Sequence, residues 1–185
     1  MRSPSAARGE AVRQRLLAAA AELIPERGWT AVSTRVLAER AGVTPSVVHY
    51  HFSSVQAVLV EAVLGAMRAV AGELGPALGA AATADEVVDA MVTAVEQYTG
   101  TDPMSLLFVE GYLAATRDDT LRAGIAAVLA DLKSVIGARF RQCGVADPEG
   151  TAAVLGAAID GLVMHRAVAP DDAPAGAAAV LRRLV

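Results

Sequence analysis

The chain has 185 residues, of which 54% are hydrophobic, 19% charged and only 4% aromatic, with a formal net charge of −4. Its length suits one or two compact domains, and its apolar content with modest charge excludes a wholly disordered chain. Cys143 is the sole cysteine, so no disulfide forms within the chain.

The charge is unevenly spread. Residues 1–60 carry a net +3 from seven arginines and four glutamates, whereas residues 61–185 carry −7. A basic head on an acidic body points to an anionic partner for the head alone. The first eight residues place Arg2 and Arg8 among Ser, Pro and Ala with no apolar run behind them, which predicts a flexible basic arm rather than a secretory signal. Residues 41–60 lack acidic and basic side chains over a length that could span a bilayer. They also contain Thr44, Pro45, Ser46, His49, His51, Ser53, Ser54 and Gln56, a polar load that argues against a membrane segment. A soluble, cytoplasmic protein without a membrane partner is expected.

Apolar residues recur at helical spacing, as in Val12, Leu16, Ala19 or Ala20, and Leu23, and no long stretch alternates apolar with polar. The expected fold is all-α, with about nine helices over 9–27, 33–40, 44–50, 54–74, 84–99, 103–116, 118–143, 147–168 and 173–184. Gly28 follows Glu26-Arg27 as a helix stop, and Asp102-Pro103 and Asp147-Pro148 each place a cap acceptor before a proline. Asp118 and Asp172 are further expected caps. Residues 72–83, rich in Gly, Ala and Pro, are the expected hinge between head and body.

The head carries the functional signal. A short helix beginning at Ser33 or Thr34, a turn containing Gly42, and a second short helix restarted by Thr44-Pro45 make a helix-turn-helix, whose second helix fits a major groove. Ser33 and Thr44 hydroxyls and the backbone amides at the helix starts suit phosphate oxygens. Pro45, Ser46, Val47 and Tyr50 suit base edges, the apolar pair facing thymine methyls. The run from Thr30 to Phe52, above all Gly28-Trp29, residues 37–43 and Tyr50-His51-Phe52, closely resembles the DNA-binding head of the TetR (tetracycline repressor) family.

That resemblance covers residues 9–60 or so and implies a division into the arm 1–8, a DNA-binding head 9–53 and an effector-binding and dimerising body 54–185. It implies that Ser33, Thr34 and Arg35 grip the DNA backbone while Thr44, Pro45, Ser46, Val47, His49 and Tyr50 form the recognition helix. Two positions depart from the family pattern, which usually has Tyr where His49 stands and Lys where Val55 stands. A low salt sensitivity of DNA binding is therefore expected, carried by Arg35, Arg40 and the arm arginines. The same departures motivate an alternative reading, a ligand-binding or interaction protein whose head has lost specific DNA binding.

Other constellations are weak. His49 and His51 lie two apart on a helix and point about 200° from each other, so they cannot share a metal ion. Asp160 and His165 pair no better, and no phosphate loop, zinc spacing or nucleophile elbow occurs, so neither cofactor nor catalysis is expected. Cys143, near a helix end, reads as packing, with a redox-sensitive thiol as the alternative. Met67, Met91, Tyr98, Met104, Phe108 and Tyr112 are candidate lining for a small, largely apolar effector, although each also fits plain core. Glu110, a charge in an apolar helix, is either a solvated residue or an ionic contact for a cationic ligand. Val154, Ala157, Ala158, Gly161 and His165 form a stripe of mostly small residues which, with Leu162, Val180 and Leu184, suits a homodimer seam. The expectation is a repressor, dimeric on palindromic double-stranded DNA and released by a small effector.

Overall fold

The computed structural model describes residues 4–169 and 176–185. Among these the chain is helical throughout, with nine α-helices, two short 3-10 turns and no strand: α1 (Pro4–Arg27), α2 (Thr34–Ala41), α3 (Pro45–His51), α4 (Val55–Ala80), α5 (Ala84–Val95), α6 (Pro103–Ala115), α7 (Asp119–Gln142), α8 (Pro148–Val168) and α9 (Ala177–Leu181). The all-α expectation holds, and most boundaries follow the predicted punctuation. Asp118 accepts from the Leu121 amide at 2.9 Å, Asp147 from the Gly150 amide at 3.1 Å, and Asp102 from the Met104 and Ser105 amides at 3.1 and 3.0 Å. Each takes up an amide donor that a helix start leaves without an intrahelical partner. Asp172 lies outside the described residues.

Three expectations are corrected. Residues 4–8 are not an arm but the opening turns of α1. The expected hinge at 72–83 is mostly helix, because α4 continues to Ala80 through Gly72, Gly75, Pro76 and Gly79. Leu74, Leu78 and Ala81 recur at helical spacing and are buried, so packing of that stripe outweighs the poor helix propensity of the glycines and proline. Helix α5 stops at Val95 rather than Thr99, and residues 96–102 form a loop in which Asp102 accepts from the Thr99 amide and hydroxyl and from the Ser105 hydroxyl. Burial pushes the Asp102 carboxyl up, but the hydrogen bonds from Ser105, Thr99 and Met104 win and hold it below its usual range.

The chain forms two compact units, Met1–Ala66 with Leu106–Ala123, and Met67–Ser105 with Gly124–Val185. In the first, α1 buries Leu16, Ala19, Ala20, Leu23 and Ile24, a stripe at the spacing of one helix face, and Leu37, Ala38 and Ala41 do the same for α2. In the second, Leu78, Val87, Val88, Met91, Ile136, Phe140, Leu155 and Ile159 belong to one core. A capping box of Thr83 and Glu86 starts α5 there, and Arg182 makes a two-pronged ion pair with Asp89. Helices α4 and α8 have the length and apolarity of membrane-crossing segments. In α4 that apolarity is used internally, since Val58, Leu59, Ala62 and Val63 are buried.

Candidate nucleic-acid interface

The α2–α3 corner is set by local chemistry. Ser33 caps α2, its hydroxyl oxygen accepting from the Val36 amide at 3.3 Å. At the other end Gly42 adopts φ 64°, ψ 40°, a left-handed conformation that glycine reaches without a Cβ clash. The Val43 amide donates to the Ala38 carbonyl at 2.9 Å and the Gly42 amide to the Glu39 carbonyl at 3.2 Å, the paired closure of a Schellman turn. Pro45 then opens α3, its fixed φ suited to a first helical position and its missing N–H without consequence there.

One fully buried residue, Val48, anchors α3, and Phe52 is buried just after its end. At 100° per residue, Ser46 and Tyr50 lie about 160° to either side of Val48, facing outward. Tyr50 is 84% exposed and meets the His51 ring edge-on, with centroids 5.0 Å apart. His49, Pro45, Ser46 and Thr44 are exposed and Val47 is half-buried. The Thr44 and Ser46 hydroxyls are 2.8 Å apart, bonded to each other rather than capping the helix. On α2, Arg35 is exposed and Thr34 half-buried. The residues expected to touch DNA are thus grouped on the outward side of one short corner, with Ser33 also serving as a cap.

Other side chains fix this corner, and sequence reasoning missed them. Trp29 is buried; its indole N–H donates to Gln56 Oε1 at 3.0 Å, and its backbone amide donates to Glu110 Oε2 at 2.8 Å. Glu110 is therefore neither a solvated residue nor shown as a ligand contact: within the first unit, it holds the turn that leaves α1. Gly28 has φ 81° there, and a Cβ on it would come 3.8 Å from the Glu110 carboxylate. Arg13 lies over the Phe52 ring, 4.9 Å from its centroid, and pairs with Glu61 at 2.5 Å. The available signal was a charge inside an apolar helix, but spacing could not name its partner.

Arg40 corrects the expected source of salt sensitivity. Its guanidinium is held by Glu22 at 3.0 Å and Glu26 at 2.5 Å. Hydrogen bonding between them keeps the Glu26 carboxyl below its usual range and raises Arg40 further above its own. A cation bound by two carboxylates of its own protein is a poor phosphate ligand.

Comparison with known proteins agrees with this geometry. Residues 16–62 match the model for bacterial regulatory proteins of the tetR family, and residues 82–185, more than half of the chain, match the tetracycline repressor-like C-terminal domain. The chain is a TetR-family transcriptional regulator. It is 28% identical over 159 residues to the HTH-type transcriptional regulator BetI of Rhizobium meliloti, covering 84% of this chain and 78% of BetI. The SCO7518 transcriptional regulator of Streptomyces coelicolor A3(2) superposes with a TM-score of 0.77 at 31% identity, over 93% of this chain and 94% of the other. A transcriptional regulator of Saccharomonospora viridis in complex with choline shares the fold at 22% identity, with a TM-score of 0.70 over 94% and 93% of the two chains.

The remaining candidate residues of this TetR-family regulator fall in both units. Met67 and Met91 are buried, Met91 within the core of the second unit. Tyr98 and Met104 are half-buried in that unit, whereas Phe108 and Tyr112 belong to the first. Burial, with the charges of Glu73 and Asp102, pushes the Tyr98 phenol up. On α8, Val154, Ala157 and His165 are exposed and Gly161 half-buried, and Val180 and Leu184 are exposed beyond it. Ala158 and Leu162 instead pack against the core of the second unit and fall outside the exposed stripe, because they lie on the Leu155–Ile159 side of the helix. Met164 and Val168, absent from the expected seam, continue the stripe, and Val168 is 82% exposed.

Proposed function

We propose that this TetR-family regulator is a cytoplasmic repressor that binds a palindromic operator as a homodimer and releases it when a small, largely apolar effector enters its body. In this reading residues 9–53 act as the DNA-binding head and 54–185 as the effector and dimer body. Ser33, Thr34 and Arg35 hold the duplex backbone, while Thr44, Pro45, Ser46, Val47, His49 and Tyr50 enter the major groove. The observation that carries the reading is the outward grouping of those side chains on a corner fixed by Val48 and the Gly42 turn.

Dimerisation through α8 is supported by the exposed apolar residues Val154, Ala157, Met164 and Val168, together with Val180 and Leu184. A lone head of this size offers few base contacts, and two-fold heads match half-sites one helical turn or more apart. In this reading the effector meets sulfur and aromatic side chains, for which Met67, Met91, Tyr98 and Met104 of the second unit are the candidates. The fold also houses diverse small molecules, since one neighbour holds choline and another, from Bacillus subtilis, holds stearoyl-CoA. An electrophoretic mobility shift with DNA upstream of the protein's own gene tests the proposal. A discrete, competitor-resistant complex is expected. Failure to shift at low ionic strength favours the alternative of a ligand-binding protein whose head no longer reads DNA.

A further inference from the structure

From Ala41 to Val55 the chain contains no Arg, Lys, Asn, Gln, Asp or Glu. Those are the side chains that read a base through paired or strong hydrogen bonds: Arg or Lys on guanine, Asn or Gln on adenine, Asp or Glu on cytosine. Several residues of these types near that stretch are engaged within the protein, while Arg35 and Glu39 on α2 are exposed. Arg40 is held by Glu22 and Glu26, Gln56 accepts from the Trp29 indole, and Arg13 lies over Phe52 and pairs with Glu61. What α3 offers outward is small and apolar, or carries a single hydroxyl or imidazole. The Thr44 and Ser46 hydroxyls also bond to each other, which commits one of their two protons. Among the groups on a major-groove floor, the thymine C5-methyl is the one that matches an apolar surface.

We infer that α3 selects its half-site chiefly through thymine methyl groups packed against Val47 and Pro45, with no bidentate base contact from the recognition helix. The inference rests on the operator-binding reading above and deepens it by naming the chemistry of the preferred duplex. Thymines cluster in the core of each half-site, and their methyls, rather than purine edges, carry the discrimination. Ser46 and Tyr50 supply single hydrogen bonds that orient the helix.

The test uses the full-length protein to select duplexes from a randomised pool. In the tightest duplex each thymine is then replaced in turn by deoxyuridine, which removes the methyl and leaves every hydrogen-bonding group in place. Two or more positions per half-site are expected to weaken binding about fourfold, the factor for burying one methyl. Val47→Ala removes the uracil effect at one of them, with folding checked by thermal melting; Val47→Thr, close to valine in shape, is the second variant. Because the uracil series is read on the wild-type protein, a folding defect in either variant leaves its result intact. Uracil substitution that changes affinity by less than about 1.5-fold everywhere overturns the inference. So does 7-deazaguanine replacement that costs about tenfold, the scale of a lost base hydrogen bond. A pool that yields no duplex above non-specific binding overturns the operator-binding reading itself.

Discussion

Glu110 offers the sharpest test of how the head is held. Its carboxylate accepts the Trp29 backbone N–H at 2.8 Å, a donor on a buried residue. Truncation by Glu110→Ala removes a charge-assisted hydrogen bond and leaves that amide without an acceptor, at a cost of about 1.5–3 kcal/mol. Glu110 is only half-buried, so water can reach part of the site and the lower half of that range applies, about 2 kcal/mol. For a chain of this size each kcal/mol shifts the melting temperature by about 2–4 °C, so a fall of about 6 °C is expected. Glu110→Gln keeps an acceptor without the charge and is expected to cost about half as much. Trp29 is the single tryptophan, so its fluorescence follows the head directly while circular dichroism follows the whole chain. Leu113→Ala, on the same helix but 53% exposed, serves as the control and should change little. The reasoning is refuted if Glu110→Ala melts within about 0.5 kcal/mol of wild type with Trp29 emission unchanged.

Three further outcomes are expected. Arg35→Ala should lower the slope of log affinity against log salt by about 0.9, one phosphate contact, whereas Arg40→Ala should leave the slope unchanged because Glu22 and Glu26 already neutralise that guanidinium; fluorescence anisotropy across a salt series reads both. Asp102 has a depressed pKa in the folded chain, so it adds stability above the ordinary aspartate range that is lost as pH falls below about 4. Asp102→Asn should therefore destabilise the protein at neutral pH and flatten the acid limb of a pH-melting curve. Gly161→Leu meets nothing within 4 Å of its new Cβ in a single chain and improves helix propensity. It should melt no lower than wild type at matched monomer content, yet sediment as a monomer if α8 forms the seam.

Legibility in the sequence followed the range of the forces involved. Caps, turns and helix stripes depend on residues within about one turn of each other, so Ser33, Gly42, Pro45, Asp102, Asp118 and Asp147 could be assigned from the linear text. Where a local rule competed with packing, packing won. Gly72, Gly75, Pro76 and Gly79 read as a hinge by composition, but Leu74 and Leu78 recur every fourth residue, and their burial keeps α4 helical. The proposed α8 seam shows the opposite limit. Small residues mark a surface capable of close approach on either side of a helix, and only the position of Leu155 and Ile159 in the core assigns Ala158 and Leu162 inward.

The outward face of the α2–α3 corner was legible in the sequence, and what supports the corner was not. Which residues crown the α2–α3 corner follows from the period of α3 once Val48 is taken as its buried position. What holds the corner is a set of pairs far apart along the chain: Trp29 with Glu110, Trp29 with Gln56, Arg13 with Glu61, Arg40 with Glu22 and Glu26. The net count of +3 already cancels Arg40 against Glu22 and Glu26, and Arg13 pairs with Glu61 just beyond residue 60, so the sum does not tell which arginines face the groove. The consequence is physical. With Arg13 and Arg40 engaged and no Arg or Lys from Ala41 to Val55, few cations stand at the proposed recognition helix, and the inference above places its specificity in shape and methyl contacts. On that reading the head is expected to tolerate salt well and a lost methyl contact poorly, a combination that a basic recognition helix would reverse.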